Sequence, residues 1–492
     1  MNRSILHYLS WILFLSLSLF PYQSPAASRL DLQESTSVEA LSLEQALTIA
    51  DENNKDIQKA REYSQWIQGK YLEERAQALP HVSFLGKQRR DYVHQDYSGT
   101  RNSDPLNLFF PGTKSLTTNT TSFDVSVTQP LYTWGKLSAA IRAAKVALST
   151  SDQQLRLYRQ ATRRDVTAAF HDVLLAKELH AIAQASLALK EAHLEEAKKK
   201  LSLGTATDYD VLAADVSVRN AWPEVIRAEN TIRLARIRLQ FLLGKEKGEV
   251  DATGNLKVSP EPVPVYEAAL AVAFEHRPEI LNQGITLTIN EEIVTIAKAG
   301  DKPYVYFSGG YTRGFQYYDS NDNDIDGTDW SASIILSWPF FDGFRTKGQV
   351  VQAKSNLESS RIDLAKLKET ISLQIQAALD QAKEAREILE ALEGTVQQAE
   401  RLLSMAEKGF QYGVKTFLDV EDAQLNLSTS RGNRARAGRD YLVALTNLKW
   451  VQGRPGGGIN YPQHATGYQE SRIQNPGEAV APSAHPLPFD AS

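Results

Sequence analysis

Two stretches of this chain, residues 135–203 and 343–412, keep an apolar residue at every seventh position for far longer than an ordinary helix lasts. In the second stretch the series is Leu357, Leu364, Ile371, Ala378, Ala385, Leu392, Ala399 and Ala406, and neither stretch contains proline. A seven-residue period sustained in this way marks helices that pack along a coiled-coil seam rather than around a globular core. At 1.5 Å of rise per residue each helix would reach about 100 Å. Half of the seam is alanine, so neighbouring helices can approach closely. A plain rod would carry no strands. Here each stretch follows a short strand-like run that ends in proline and aromatics, Gln129-Pro130-Leu131-Tyr132 and Trp338-Pro339-Phe340-Phe341.

Composition narrows the function classes. Of 492 residues, 42% are apolar and 23% charged, so the chain is not a disordered one. A net charge of −5 gives no reason to expect nucleic acid as a partner. The absence of cysteine excludes disulfides, thiolate metal sites, a cysteine nucleophile and a lipid-bearing N-terminal cysteine. Arg3, the short apolar run 11–20 and Ser24-Pro25-Ala26 read as a secretory signal over residues 1–27. That run is too short to span a bilayer, and no later segment offers about 20 consecutive apolar residues. Any role in a membrane therefore falls to β-strands.

Beyond the signal, residues 28–42 read as an extended arm. A helical pattern then runs from Leu43 to Leu79 and stops at Pro80. Strand-like runs over 81–92 and 122–132 flank a polar loop at 98–121, and a long helix returns as a second one over about 208–243. After a proline-rich connector the same order begins again. Leu270, Ile280 and Pro303 restate Leu47, Ile57 and Pro80 at a constant offset of 223, and Pro339, Gly413 and Gly453 restate Pro130, Gly204 and Gly244 at an offset of 209. The sequence thus reads as one structural unit written twice, over 43–244 and 266–453. The first unit holds a β-hairpin at 81–132 and a helical hairpin at 135–243, and the second holds their counterparts at 303–341 and 343–452. Residues 245–265 connect the two units, and 454–492, rich in glycine and proline, read as a disordered tail.

The strand-like runs have a lipid-facing pattern. Trp330, Ala332, Ile334, Leu336 and Trp338 alternate with Ser331, Ser333 and Ser337, with Ile335 as the exception. Phe123, Val125 and Val127 alternate with Asp124, Ser126 and Thr128. Tryptophans at both ends of an apolar face suit the two interfaces of a membrane, with small polar groups turned to a lumen. Trp330 to Trp338 covers about 26 Å at 3.3 Å per residue, enough for a hydrocarbon layer. The sequence offers four such strands, 81–92, 122–132, 303–315 and 329–341, whereas the smallest closed membrane barrels use about eight. Open sheet edges in lipid leave backbone groups unpaired at several kcal/mol each. Copies of the chain are therefore expected to share one barrel.

Pro-Leu-Tyr leading into a long helix, paired glycine turns and the internal duplication resemble the TolC family of outer-membrane efflux proteins, over residues 40–453. The fold class expected is mostly α with a membrane β-barrel. The resemblance implies a homotrimer with one twelve-stranded barrel in outer-membrane lipid and a helical tunnel in the periplasm. It also implies an equatorial belt near residues 245–265 and after Trp450. The expected function is an exit duct for tripartite efflux or type I secretion, not an enzyme. A periplasmic adaptor and an inner-membrane transporter of RND or ABC type would open it at the periplasmic tips. The alternative is a structural periplasmic coiled-coil protein without channel activity. The resemblance places an acidic gate at Asp419 and Asp422, which share a helix face, and a tip latch between Lys415 and Asp210. In the family a tyrosine joins that network where this chain has Phe410, which leaves Tyr412 or Tyr209 as substitutes. The turns Leu203-Gly204-Thr205 and Tyr412-Gly413-Val414 are the expected adaptor contacts, and Trp330 and Trp338 the interface aromatics.

Asp322-Asn323-Asp324-Ile325-Asp326-Gly327 resembles the start of a calcium loop, but the twelfth position of that frame is Ser333 rather than glutamate, and it lies inside a strand. No phosphate-binding loop, zinc pair or nucleophile elbow occurs, so no catalytic, cofactor or metal residue is expected.

Overall fold

The computed structural model describes residues 38–96, 113–256, 258, 261–318 and 325–454. The signal segment, the arm up to residue 37, the tail after Arg454 and Asp322-Asn323-Asp324 lie outside the described residues.

The chain begins with a short strand, β1 (Glu39–Leu41), and two helices, α1 (Leu43–Asn53) and α2 (Lys55–Ala76). The sequence pattern had suggested one helix here. Asn54 divides it: the residue is extended (φ −61°, ψ 130°), and its side chain accepts from the Asp56 and Ile57 amides at 2.9 and 3.3 Å. An asparagine that satisfies the orphan donors of a new helix is a strong N-cap, and it makes the break cheap. Strands β2 (His81–Asp96) and β3 (Thr113–Tyr132) follow, then α3 (Lys136–Ser202) and its return α4 (Asp208–Leu243). After β4 (Val250–Ala252) come α5 (Tyr266–His276), α6 (Pro278–Lys298), β5 (Tyr304–Tyr318) and β6 (Ile325–Ser337). The last elements are α7 (Arg345–Ala391), α8 (Thr395–Gln411) and α9 (Phe417–Val451).

The first long helix is continuous, and α3 alone has 67 residues. The second, expected as one helix over 343–412, is two. The chain leaves α7 at Leu392 and re-enters helix at Gly394, which sits at φ 82°. The apolar seam survives this break. Ile371, Ala378, Ala385, Ala399 and Ala406 are buried, and Leu357, Leu364 and Leu392 are half-buried. No helix among the described residues is long and apolar enough to cross a membrane.

The strands β2-β3-β5-β6 form one antiparallel sheet in that order. Phe84, Val125, Tyr311 and Trp330 stand in one cross-strand row, and Val82, Val127, Gly309 and Ala332 in the next row on the same face. The opposite face carries Ser83, Ser126, Gly310 and Ser331 in a single row, with Ser83 and Ser126 hydroxyls 2.7 Å apart. One face is therefore apolar and aromatic, the other small and polar. Trp330 is 81% exposed and Trp338, just past the strand end, 60% exposed. β3 starts nine residues before the expected Ser122, at Thr113, so part of the expected loop at 98–121 is strand. Among the described residues β2 and β6 each pair on one side only.

A second, two-stranded parallel sheet joins β1 to β4. It ties the end of the arm to the connector at mid-length of the long helices. Leu41, Val250 and Ala252 are buried there with Ala46, Leu47, Val166, Phe170, Val173, Leu239 and Leu243. A matching cluster on the other half packs Ala269, Ala273, Ile371, Ile375, Leu379, Tyr441 and Leu448. Ion pairs brace the same level, among them Arg163 with Asp51 and Arg439 with Asp172, each at 2.5 Å.

Candidate functional site

The ends of the helical hairpins opposite the sheet are built by the same local chemistry twice. At the first, Gly204 lies at φ 73°, and the Thr205 amide donates to the Lys200 carbonyl at 2.9 Å, closing the end of α3. At the second, Gly413 lies at φ 73° and the Val414 amide donates to the Gly409 carbonyl at 2.8 Å. Each returning helix then starts with a capping box. The Thr207 amide and hydroxyl donate to Asp210 Oδ2 at 2.8 and 2.7 Å, and the Asp210 amide donates back to Thr207 Oγ1 at 3.3 Å. Thr416 and Asp419 repeat this geometry at 2.8, 2.8 and 3.3 Å. The turns present apolar side chains to solvent: Leu203, Tyr209, Tyr412 and Val414 are all exposed.

The expected gate aspartates differ in their surroundings. Asp419 is occupied by the cap and by Lys415, whose Nζ lies 3.1 Å from Asp419 Oδ1. The Thr416 amide and hydroxyl, then Lys415, hold its carboxyl down at a pKa of about 2. Asp210 is likewise lowered, by the Thr207 amide first and its hydroxyl second. Asp422 faces a groove of about 830 Å³ between α4 and α9, with α3 as its floor. Leu418 and Leu425 flank Asp422 in that groove, one turn to each side.

Within one chain the structure does not bring Lys415 to Asp210. Lys415 turns along its own helix to Asp419, and its stem lies over Gly409, where a Cβ would come within 2.6 Å of Lys415 Cγ. Phe410 takes part in an aromatic contact rather than a hydrogen bond. Its ring centroid is 6.2 Å from Phe417, the Lys200 ammonium sits 4.3 Å above it, and His193 meets Phe417 edge-on at 6.1 Å. Tyr412 and Tyr209 are exposed, and their hydroxyls bond no other described residue, so neither replaces the missing hydroxyl inside the chain.

Other polar residues in this region gave no signal in the sequence. Lys190 on α3 donates to Ser217 Oγ on α4 at 2.6 Å, and Ser217 donates to Glu421 Oε1 on α9 at 2.5 Å. Lys190 Nζ is 3.6 Å from the same Glu421 oxygen. Nearby, Gln424 Nε2 donates to the Ser186 carbonyl at 3.0 Å and hydroxyl at 3.2 Å. Spread over three helices, such residues look like solvated charges on separate faces. Only their convergence distinguishes them.

A four-stranded sheet with one apolar, aromatic face, joined to helices of this length with capped hairpin ends far from the sheet, is the build of an envelope-crossing duct. The comparisons agree: the chain belongs to the outer membrane efflux protein family, whose model matches residues 46–245 and 269–454. It is 23% identical to the outer membrane protein TolC of Vibrio cholerae over 338 residues, covering 68% of this chain and 76% of that one. It is 26% identical to the alkaline protease secretion protein AprF of Pseudomonas aeruginosa over 335 residues, covering 67% and 69% of the two chains. In fold it is similar to the CmeC outer membrane channel of Campylobacter jejuni, with a TM-score of 0.69 at 17% identity, over 84% of this chain and 85% of that one. The expected TolC-like family and outer-membrane location therefore stand, with the helices on the periplasmic side.

Proposed function

We propose that three copies of this chain form an exit duct for efflux or type I secretion, opened at its tips by a periplasmic adaptor and an inner-membrane transporter of RND or ABC type. The observation that carries this reading is the incompleteness of the single chain. Among the described residues, both edge strands, β2 and β6, have a strand neighbour on one side only, and an open sheet edge is prohibitive in lipid. Three sheets of four strands close a barrel of twelve. The helices point the same way. On α4, Leu212, Val216, Ile226, Leu234, Ile237 and Phe241 form an exposed stripe, while Ala214, Val218, Val225, Leu239 and Leu243 are buried on the side turned to α3. Ile388, Leu402 and Met405 on α7 and α8 are exposed apolar residues of the kind such a stripe needs from a neighbouring copy.

The duct is built as a twofold repeat. Its support is the constant spacing of core and cap residues: Thr207 and Thr416, Asp210 and Asp419, and Leu194 and Leu403 each stand 209 positions apart, as 419 minus 210 gives. Asp419 and Asp422 form the acidic ring at the mouth. The latch pairs Lys415 with Asp210 across two copies, since the two do not meet within one chain, where Lys415 turns to Asp419. The adaptor docks on the exposed apolar turns at 203–205 and 412–414. What the relatives are named for, protein secretion in AprF and cobalt-zinc-cadmium resistance in CzcC of Cupriavidus metallidurans, fits a duct whose cargo is chosen by its partners.

The test is electrical. The detergent-purified protein should run as a heat-sensitive trimer and open small, long-lived channels in planar lipid bilayers. Lys415→Ala should raise the time-averaged channel conductance about fivefold, the shift in a closed–open equilibrium that one lost charge-assisted contact supports. A water-soluble monomer that never conducts would favour the periplasmic coiled-coil alternative, and unchanged conductance in Lys415→Ala would remove the latch.

A further inference from the structure

Lys190, Ser217 and Glu421 join three helices through half-buried polar contacts. The Lys190 and Glu421 side chains are 25% and 31% exposed. A charged chain of hydrogen bonds at that burial is screened less than a surface pair and is stronger than a neutral one. Among the described residues the Ser217–Glu421 hydrogen bond links α4 directly to α9, which the floor helix α3 otherwise separates.

Its position gives it leverage. Val420 is fully buried, Glu421 reaches to the α3–α4 hairpin, and Asp422 turns into the groove that Lys190, Ser217 and Glu421 also line. Three consecutive side chains thus set the rotation of α9 about its own axis just above the tip. A turn of α9 that carries Asp422 away must break the contacts of Glu421. Gln424 adds a second tie one turn further on, to Ser186.

The contact is also asymmetric. The apolar seam recurs at a spacing of 209 residues, with Val211 and Val420, Ala214 and Ala423, and Val218 and Leu427 all core residues. The polar clamp does not recur. The positions 209 residues from Glu421, Lys190 and Ser217 hold Leu212, Ala399 and Asn426. Residues that merely pack are duplicated, whereas this contact occurs in one direction only, from the first hairpin to the second.

We infer that Lys190, Ser217 and Glu421 are positioning residues for the mouth, an intrachain clamp that holds α9, and with it Asp419 and Asp422, against the α3–α4 hairpin in the closed duct. This rests on the channel reading above. It requires no neighbouring copy, unlike the Lys415 latch, so the two restraints are separable.

The experiment is single-channel recording of the full-length trimer in planar bilayers, with Glu421→Gln, Ser217→Ala, and the exchange of Lys190→Glu with Glu421→Lys. Glu421→Gln should raise the time-averaged conductance about fivefold by shifting the closed–open equilibrium, Ser217→Ala less because Lys190 still reaches Glu421, and the exchange should return it toward the parent value. Restoration by exchanged charges is a readout that a purely structural role would not give. All three variants should keep the heat stability of the trimer. If Lys415→Ala widens the channel while Glu421→Gln leaves it unchanged, or if the exchange behaves like the single variants, the clamp is wrong and the duct stands. If the unmodified trimer does not conduct, the duct reading falls and the clamp with it.

Discussion

Thr416 and Asp419 show how much one residue can carry. Asp419 is at once the third residue of a capping box, the partner of Lys415 and a member of the proposed acidic ring. Its carboxyl is held to a pKa of about 2, below the ordinary aspartate value, by hydrogen bonds that favour the charged form. The folded state therefore binds this proton less readily than the unfolded state. The resulting stabilisation is full above about pH 4 and is lost as pH falls through about 2. In Thr416→Ala the first turn of α9 should fray, and the melting temperature of the protein should lose part of its fall between pH 4 and pH 2. Thermal melts across that range check this, and identical pH profiles for parent and variant would count against it. The glycine turns at Gly204 and Gly413 were legible because a short turn motif is local in sequence. Lys190, Ser217 and Glu421 were not, since nothing in a chain marks three polar residues on three helices as neighbours before the helices are packed.

At the scale of elements, the long helices were legible and their interruptions were not. A seven-residue period over Ile371, Ala378 and Ala385 admits one reading, because only a helix buries every such position on one side. Gly394 is a single residue within that period, and the period resumes after it, so the pattern hides the break. The strands β1 and β4 have three residues each, too few for any alternation to register. β3 was cut short for a different reason. From Thr117 to Thr121 both faces are polar, so the apolar alternation that marks a lipid-facing strand stops there although the hydrogen-bonded ladder continues. The connector is held by a buried side chain that hydropathy counts only as aromatic. Tyr441 is fully buried, and its hydroxyl accepts from the Glu261 amide at 2.7 Å. Tyr441→Phe should leave that amide to water or unpaired, at a cost of about 1 kcal/mol. Limited proteolysis should then cut residues 245–265 faster while α3 and α7 stay intact. An unchanged cleavage rate would show that the connector is held by other contacts.

At the scale of the whole molecule, among the described residues the sheet has a strand neighbour on one side only at β2 and β6, and the outer helices carry exposed apolar stripes. Phe241, 80% exposed near the end of α4, should separate folding from assembly. Phe241→Asp should keep the helical content of the parent and shift the detergent-purified protein from trimer toward monomer on native gels or by mass. If the variant trimerises as the parent does, this stripe is not the seam between copies. The expectation of partner copies came from the number of strands alone, since that argument requires only a count and the properties of lipid. Which helix faces the proposed copies would bring together was not visible, because an apolar residue at a coiled-coil position reads alike whether it meets its own chain or another.

The capping box at Thr416 also constrains anyone who wishes to discharge the mouth. Removing the Asp419 side chain would unwind the start of a helix as well as subtract an anion, so the two outcomes would be confounded. Asparagine keeps an oxygen acceptor for the same backbone amide and carries no charge. The amide isostere, rather than truncation, is thus the substitution from which the electrostatics of the passage can be read.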